Sequence, residues 1–514
     1  SHRGPDDTGI YSDNAITLGH SRLSIIDLSS KAGQPMSNEQ ESLIISYNGE
    51  IYNFFKIKSE LQTKGVHFRT NSDTEVILKL YEIEGKNCFK KLRGIFALSI
   101  WDKKKDELIL ARDPQGIKPL YYLYNNNQLI FSSELKAIYS VVPNLEIDQM
   151  SLNVFFNLGY ITGPNTIWKG VKKLMPGFTL VFRKGDIKLS KYFYPKLDIK
   201  YSKKSYAKSQ ISEILKRVVK NQLVGDVPVG LFLSGGIDSS LLLALMSESN
   251  NKPVNTFSSY FELNSKEDDI KFNSDFYLAR ITSKHFGSTH HEVSISEKDV
   301  LDNIEKVVWH MDEPASSSTL ITNYILAKNT SEFVKVVMSG EGGDEVFGGY
   351  HRYHSYRLID QWQKLPEKFK SNKFVLQLIS MIGQSKNIQR LNFDNLLDLY
   401  LSFANIKEYS TNKFLSYDYR ENDYINFMKE NINPYLNKGN IFDSLINAEV
   451  NSWMLDDYIN RVDKMSMAHG VENRVPFLDL DILELSLTIK PNWKYSLFEK
   501  YRGKRLLIDS MKEY

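Results

Sequence analysis

Short apolar runs separated by turn residues dominate the first part of the chain and predict a strand-rich unit. The predicted strands are residues 15–18, 23–27, 43–47, 96–101, 107–111, 120–124, 128–132 and 176–182. Helical periodicity interrupts them at residues 54–64 and 73–85, and the second helix has Val76, Ile77, Leu80 and Ile83 on one face. This order of elements favours an α+β sandwich.

Beyond residue 205 the pattern changes to helices that alternate with buried strands. Residues 205–222 predict an amphipathic helix, and an apolar strand begins at Val229. Further strands are predicted at residues 254–261, 290–293 and 334–338, helices at 276–286 and 321–329, a linker at 196–204, a loop at 262–275 and a helical region at 355–445. This alternation predicts an α/β unit whose ligand lies beyond the carboxyl ends of parallel strands.

The run SGGIDSS, residues 234–240, lies between two apolar runs and predicts a strand, a tight loop and a helix. Gly235 and Gly236 let the backbone approach an anion, while serine hydroxyls and the N–H groups at the helix start can bind phosphate. A Walker loop would have a lysine after the second glycine. Asp238 stands nearby instead, and an acid beside phosphates indicates Mg²⁺. The alternative is a plain turn between a core strand and a core helix.

Composition limits the partners of this chain. Its 514 residues exceed a single hydrophobic core, so at least two domains are expected. A net charge of +3 does not favour nucleic acid or an anionic membrane as a partner, and no apolar run reaches the length of a membrane span. Cys88 is the single cysteine, which excludes an internal disulfide framework and fits a reducing, cytoplasmic location.

Five motifs in the first part resemble the class II glutamine amidotransferase domain of asparagine synthetases. They are HRGPD (2–6), GHSRLSIID (19–27), YNGEIYN (47–53), SDTE (72–75) and ARDPQGIKPLY (111–121). The resemblance implies an Ntn-type sandwich over residues 1–196. It also implies a glutamine site in which Arg22 binds the α-carboxylate, Asp73 binds the α-amino group, and Asn48 and Gly49 form an oxyanion hole.

Leu23 and Glu50 complete the glutamine-binding set that the resemblance implies. For Asn48 and Gly49 a hairpin turn is a second interpretation, because Asn-Gly is a strong hairpin signal. In the family the nucleophile is an N-terminal cysteine, and family spacing puts it a few dozen residues before His2. Cys88 matches no catalytic position and is expected to be structural. We therefore expect this chain to bind glutamine without hydrolysing it.

The second part resembles the PP-loop ATP pyrophosphatase domain of the same family, over residues 205–514. Besides SGGIDSS, it matches SGEGGDEVFGGY (339–350), RVDKMSMAHGVENRVPFLD (461–479) and GKRLL (503–507). The resemblance implies that Glu341 is the base that readies ammonia. It also implies that Lys504 neutralises charge on the α-phosphate, with Lys500 as the weaker alternative. Sequences of the family continue beyond the matched segments at both ends, so we expect the family's two terminal segments to lie outside this chain.

Further site residues follow from the same resemblance. Asp238 and Asp344 would hold Mg²⁺. ATP would contact Phe232, Ser234, Gly235, Gly236, Asp238, Ser239, Ser259, Ser339 and Gly340. Four further residues would face the active site and support the residues that contact ATP and Mg²⁺: Glu345, Arg461, Asp463 and Lys464. His290 and His291 are expected to be structural, because neighbours on a strand point to opposite faces.

The resemblance implies a carbon–nitrogen ligase that uses glutamine, ATP and Mg²⁺. The aspartate side chain would become an acyl-adenylate, and ammonia would displace AMP to give asparagine. Two alternatives stay open: the same chemistry on another carboxylate, such as a sugar acid of a polysaccharide, or a nucleotide-binding protein without turnover. The expected partners are small molecules, with a homodimer left open.

Overall fold

A computed structural model describes residues 2–194, 203–250, 252–370, 390–406, 421–437, 439–496 and 503–514. Residues 196–202 of the predicted linker and the candidate Lys500 lie outside these ranges.

Antiparallel strands form the β-structure of the first part of the chain. They are β1 Asp7–Ser12, β2 Thr17–Arg22, β3 Met36–Ser37, β4 Leu43–Ile51, β5 Gly94–Asp102, β6 Glu107–Arg112, β7 Tyr121–Asn125, β8 Gln128–Ser132, β9 Val171–Lys173, β10 Phe178–Arg183 and β11 Asp186–Lys191. One sheet has the order β11-β10-β6-β5-β4-β3, a second has the order β8-β7-β9, and β1 pairs with β2.

Four α-helices accompany these strands among the described residues 2–194. They are Phe54–Gln62, Asp73–Glu84, Leu135–Val141 and Gln149–Leu158, with 3₁₀ turns at Ser30–Ala32 and Gly85–Lys90. Ser72 caps the second helix: its side chain accepts a hydrogen bond from the N–H of Thr74 at 3.1 Å. Ile83, which the periodicity places on one face with Val76, Ile77 and Leu80, is 50% exposed, because burial along this helix stops at Tyr81.

The predicted strand at residues 23–27 is wrong. The chain leaves β2 as a loop, and Asp27 has a φ of 54°, which no strand residue adopts. Arg22 binds the loop carbonyls that a neighbouring strand would otherwise have to satisfy. The apolar run at residues 23–27 is thus held as a loop by the neighbouring Arg22 side chain.

A wholly parallel sheet forms the centre of the second part. Its strands are β12 Val229–Phe232, β13 Asn255–Phe261, β14 Thr289–Ile295, β15 Val336–Met338 and β16 Glu472–Arg474, in the order β14-β13-β12-β15-β16. The chain runs outward from β12 to β14 and then returns to β15 on the other side of β12. The carboxyl ends of β12 and β15 thus flank the point where strand order reverses, which is where open α/β sheets bind ligands.

Helices surround this sheet. They are Lys204–Gln222, Ile237–Ser249, Lys266–Phe272, Ser274–Phe286, Glu297–Met311, Thr319–Thr330, Gly343–Phe347, Arg352–Gln363, Glu367–Lys370, Leu396–Ala404, Glu421–Leu436, Ile441–Glu449, Asn460–Met467, Leu480–Thr488, Pro491–Lys494 and Arg505–Ser510, with a π-helix at Val450–Ile459 and a 3₁₀ turn at Pro476–Leu478. The predicted loop at residues 262–275 is wrong, since it includes Lys266–Phe272. That helix buries no residue, so it leaves no hydrophobic periodicity in the sequence.

A continuous hydrophobic core joins the two parts. Tyr52, Ile95 and Ile117 of the first part belong to the same buried cluster as Leu231 and Met338 of the parallel sheet. The two units are therefore packed against each other rather than separated by solvent. Among the described residues, no helix has the length and hydropathy that crossing a membrane requires.

Candidate active sites

A cavity of about 300 Å³ lies between β2, β4 and the start of the helix Asp73–Glu84. The six residues predicted to bind glutamine all line it: Arg22, Leu23, Asn48, Gly49, Glu50 and Asp73. His2, Arg3 and Glu134 line it as well. The fold thus gathers the predicted residues around one space of a size that suits a small polar ligand.

Arg22 and Asp73 give this cavity one fixed cation and one fixed carboxylate. The guanidinium of Arg22 donates to three carbonyls of the loop 26–29, at 2.6–3.2 Å. Asp73 accepts from the hydroxyl of Tyr47 at 2.7 Å and from the N–H of Ile51 at 3.1 Å, and burial raises its pKa. Opposite charges held in one cavity complement the carboxylate and ammonium of an α-amino acid. Sequence reasoning missed Tyr47, although it begins the matched motif YNGEIYN.

Asn48 and Gly49 lie inside β4, opposite Ala97 and Phe96 of β5, so the hairpin interpretation is wrong. A Cβ on Gly49 would come 2.0 Å from the carbonyl oxygen of Ile95. Glycine is therefore required for the close approach of two strands and not for a turn.

Glu50 connects the cavity to the second part of the chain. Its Oε2 is 3.1 Å from Nη2 of Arg474, and both side chains are almost inaccessible to solvent. Burial and the nearby Asp73 raise the pKa of Glu50 well above its usual range, against the opposing effect of Arg474. Arg474 also pairs with Glu472 at 3.0 Å. The side chain of Arg474 thus holds together two buried carboxylates where the two parts of the chain meet.

Cys88 does not line the cavity. It lies fully buried in the 3₁₀ turn Gly85–Lys90, in the hydrophobic core with Tyr81 and Phe89. Burial raises the pKa of its thiol, so the nucleophilic thiolate is suppressed. This environment agrees with the structural role expected for Cys88.

The predicted phosphate loop joins β12 to the helix Ile237–Ser249, at the carboxyl edge of the sheet. The hydroxyls of Ser234 and Ser239 are 3.0 Å apart, and the N–H of Gly236 donates to Ser234 Oγ at 3.3 Å. Gly235 has a φ of 73°, and a Cβ there would come 2.4 Å from the backbone nitrogen of Ala279. The loop is thus built as the sequence predicts, with a glycine that no other residue can replace.

Two further nucleotide candidates lie near this loop. Phe232 ends β12, and Ser259 lies on the adjacent β13, two residues beyond the partner of Phe232. Both therefore stand toward the carboxyl edge at which the phosphate loop begins.

The second glycine-rich loop follows β15 and touches the first. Ser339 donates its N–H to the carbonyl of Arg474 at 3.0 Å, and its buried hydroxyl has no partner among the described residues. A Cβ on Gly340 would come 3.0 Å from Cβ of Asp238, and one on Gly343 would come 2.5 Å from its Cγ. These glycines therefore allow the loops to meet around the Asp238 carboxylate.

Lys504 links the acids of the two loops. Its Nζ contacts Asp238 Oδ2 and lies 2.7 Å from Asp344 Oδ1. Burial raises the pKa of Asp238 to about 6, although Lys504 acts in the opposite direction. Asp238 Oδ1 is buried without a partner among the described residues. Two carboxylates that share a cation, one with an unsatisfied oxygen, fit Mg²⁺ completed by phosphate oxygens.

Two tyrosine–glutamate pairs lie beside these acids. The hydroxyl of Tyr458 donates to Glu341 Oε2, and that of Tyr350 donates to Glu345 Oε1 at 2.8 Å. Burial raises the pKa of Glu341 and raises that of Glu345 to about 7. Sequence reasoning missed Tyr458, which lies 117 positions from its partner.

The helix Asn460–Met467 places only one of its three candidates near Glu341. Arg461 pairs with Asp457 at 2.8 Å and donates to Thr319 Oγ1 at 2.7 Å. Asp463 instead pairs with Arg3 at 2.7 Å and with Lys118 at 3.2 Å, and both belong to the first part of the chain. Lys464 donates to the carbonyl of residue 311 at 2.6 Å. The expectation that Asp463 and Lys464 face the synthetase site is therefore wrong.

Two pairs of histidines differ in their surroundings. His290 and His291 bond to side chains of β13, at 2.9–3.0 Å, as expected for structural residues. Near the cavity, ligand atoms of His2, Glu134 and His310 lie within 4.8 Å of one another. Lys136 Nζ, 3.0 Å from Glu134, already supplies the positive charge there. We therefore regard this second group as part of the interface.

One chain thus holds an amino-acid-sized cavity and, across a shared core, a phosphate loop with paired acids and a lysine. Proteins of this class join a glutamine amidotransferase unit to a unit that activates a carboxylate with ATP. Family models agree: the glutamine amidotransferase domain matches residues 1–193 and asparagine synthase matches residues 210–514. The chain belongs to the asparagine synthase family.

Named relatives cover nearly the whole chain. Glutamine-hydrolyzing asparagine synthetase 1 of Bacillus subtilis is 34% identical over 96% of this chain and 77% of its own length. A putative glutamine-hydrolyzing asparagine synthetase 2 of Methanocaldococcus jannaschii is 35% identical over 91% of this chain and 93% of its own length. Among solved structures, an allosteric regulatory enzyme of purine biosynthesis covers 57% of this chain and 75% of its own, at 16% identity and a TM-score of 0.30. That last likeness is too weak to support a conclusion.

Proposed function

We propose that this protein makes asparagine from aspartate in an ATP-dependent reaction, with the ammonia that glutamine hydrolysis supplies in the family to which the chain belongs. The observation that carries the proposal is the meeting of two glycine-rich loops at the switch point of the parallel sheet. There Asp238, Asp344 and Lys504 converge beside Glu341. Family membership gives the reaction type, and these side chains have the charges that the reaction needs.

The first half-reaction activates the carboxylate, because a free carboxylate is a poor electrophile. The loop 234–239 binds the pyrophosphate portion of ATP through its hydroxyls and the helix N-terminus. Asp238 and Asp344 would hold Mg²⁺, which supplies neutralising charge to the phosphates when bound. A carboxylate oxygen of aspartate attacks the α-phosphorus and pyrophosphate leaves. Lys504 stabilises the charge that develops on the α-phosphate.

The second half-reaction forms the amide. Ammonia attacks the acyl carbon of the adenylate, a C–N bond forms, and the bond to the AMP oxygen breaks. Glu341 receives the proton that the nitrogen loses. In the cavity of the first part, Arg22 and Asp73 bind the α-carboxylate and α-amino group of glutamine, and Asn48 and Gly49 face its side-chain amide.

Ammonium can replace glutamine in the test, which keeps the synthetase chemistry separate from glutamine hydrolysis. With Mg²⁺, ATP, aspartate and ammonium, the protein is expected to release pyrophosphate and form asparagine. Asp238→Ala is expected to abolish both products, while Asp302→Ala, which removes an exposed acid from the helix Glu297–Met311, serves as the matched control. Pyrophosphate release that responds to a sugar acid and not to aspartate would refute the proposal, as would full activity of Asp238→Ala.

A further inference from the structure

We propose that Tyr458 is the positioning residue for amide formation: its hydroxyl holds Glu341 in place to receive the proton of the attacking ammonia. The inference deepens the proposed function and rests on it. Family motifs do not include Tyr458, since the matched run begins at Arg461.

The contact between the two side chains carries the inference. Tyr458 donates its hydroxyl hydrogen to Oε2 of Glu341. That bond fixes one carboxylate oxygen and leaves Oε1 to accept a proton. A general base has to be aimed within hydrogen-bond reach of the group that it deprotonates, and a carboxylate on a glycine-flanked loop is not aimed by its own backbone. Glu341 lies between Gly340 and Gly342.

Tyr458 is itself held firmly. Its ring stacks on Trp453 at 5.5 Å with an interplanar angle of 17°, and the guanidinium of Arg461 lies 5.4 Å from the ring centre. All three residues belong to the helical run 450–467, in which Val450–Ile459 is π-helical. Such π-helical turns often occur at functional sites, where they redirect side chains that an α-helix would place elsewhere.

The hydrogen bond also opposes the electrostatic environment of Glu341. Burial favours the protonated carboxyl group, and the carboxylates of Asp238 and Asp344 favour it too. Arg461 and the Tyr458 hydroxyl favour the ionised form. The loss of the Tyr458 hydroxyl would therefore raise the pKa of Glu341 further and leave less of it ionised and able to accept a proton.

Tyr458 supports the step in which ammonia displaces AMP. The nitrogen lone pair of ammonia forms the C–N bond, and the electrons of the broken C–O bond stay on the phosphate oxygen of the departing AMP. One N–H proton passes to Oε1 of Glu341. Tyr458 keeps its own proton throughout, so it acts through Glu341 and not as an acid or base.

The test compares Tyr458→Phe with Tyr424→Phe, using ammonium as the nitrogen source and measuring AMP and asparagine separately. Tyr424 is buried and donates its hydroxyl hydrogen to Asn405 Oδ1 at 2.8 Å, so its variant also loses a tyrosine hydrogen bond. Tyr458→Phe is expected to slow asparagine formation about tenfold or more, the size typical of a disturbed general base. AMP formation should fall less, so that the ratio of AMP to asparagine rises above one as water consumes the adenylate.

A second comparison covers the case in which Tyr458→Phe folds poorly. In a Glu341→Gln background, Tyr458→Phe should cause no further loss of asparagine formation, because residues that act as a unit are not additive. A parallel fall of AMP and asparagine in Tyr458→Phe, a wild-type rate, or additive losses would each overturn the role of Tyr458. If the unaltered protein formed no aspartate-dependent AMP, the proposed function would fail first and this inference with it.

Discussion

Replacing Arg474 with methionine is expected to destabilise the protein by about 4 kcal/mol. The Arg474 side chain is fully buried and pairs with Glu50 at 3.1 Å and with Glu472 at 3.0 Å. Methionine fills similar space but leaves both carboxylates without this cation, and removing one partner of a buried ion pair costs about 3–5 kcal/mol. Lys118, 3.5 Å from Glu472, relieves part of that cost, so Glu50 accounts for most of it.

The assay is denaturant unfolding of the whole chain, with Arg183→Met as an exposed control. Burial already raises the pKa of Glu50, and the loss of Arg474 raises it further. The folded variant then retains a proton that the unfolded chain releases above about pH 4.3, so its stability falls as pH rises. The deficit of Arg474→Met should thus be larger at pH 8 than at pH 6. Adding Glu50→Gln should recover at least half of it, and no recovery would refute the reasoning.

Three further predictions concern the loops and buried thiol and carboxyl groups. Gly343→Ala should lower pyrophosphate release at least about tenfold, because its Cβ would lie 2.5 Å from Asp238 Cγ. The control Gly65→Ala, whose Cβ would have nothing within 4 Å, should lower stability by about 1 kcal/mol and leave activity unchanged. Equal activities of the two variants would contradict this prediction. Cys88 should react with iodoacetamide only after unfolding, and labelling of the native protein would show that burial does not protect it. Burial raises the pKa of Asp479 to about 6, so the free energy of unfolding should fall as pH rises from about 4 to 6. Asp479→Asn should remove this pH dependence in unfolding measurements and should raise the free energy of unfolding by about 1–2 kcal/mol at pH 7.

The sheet of the second part could be predicted because its signals are local. A buried strand that ends in a glycine turn identifies itself within the run 229–246, and alternation with helices then implies the parallel arrangement. Sequence patterns predicted the wrong secondary structure where tertiary contacts determine the backbone conformation. Residues 23–27 are apolar enough for a strand, but Arg22 binds their carbonyls. The helix Lys266–Phe272 buries no residue, so its sequence does not need the hydrophobic periodicity from which a helix is predicted.

The residues of the candidate sites also differ in whether the sequence could predict them. Residues within matched motifs, such as Arg22 and Asp73, could be named and do line one cavity. Tyr458 lies outside the matched motifs and acts through a contact with Glu341, and Tyr47, although inside a motif, acts through a contact with Asp73 that the motif does not reveal. The chain has 29 tyrosines, so residue type alone gives no way to choose these two.

The helix Asn460–Met467 shows why motif membership does not fix the site that a residue serves. Successive residues of an α-helix are rotated by about 100°, so Arg461 and Asp463 project about 200° apart and cannot face the same ligand. Arg461 lies against the ring of Tyr458 in the synthetase site. Asp463 binds Arg3, which lines the cavity of the first part. Because both residues are fixed on one rigid helix, a displacement of this helix moves a side chain of each site together.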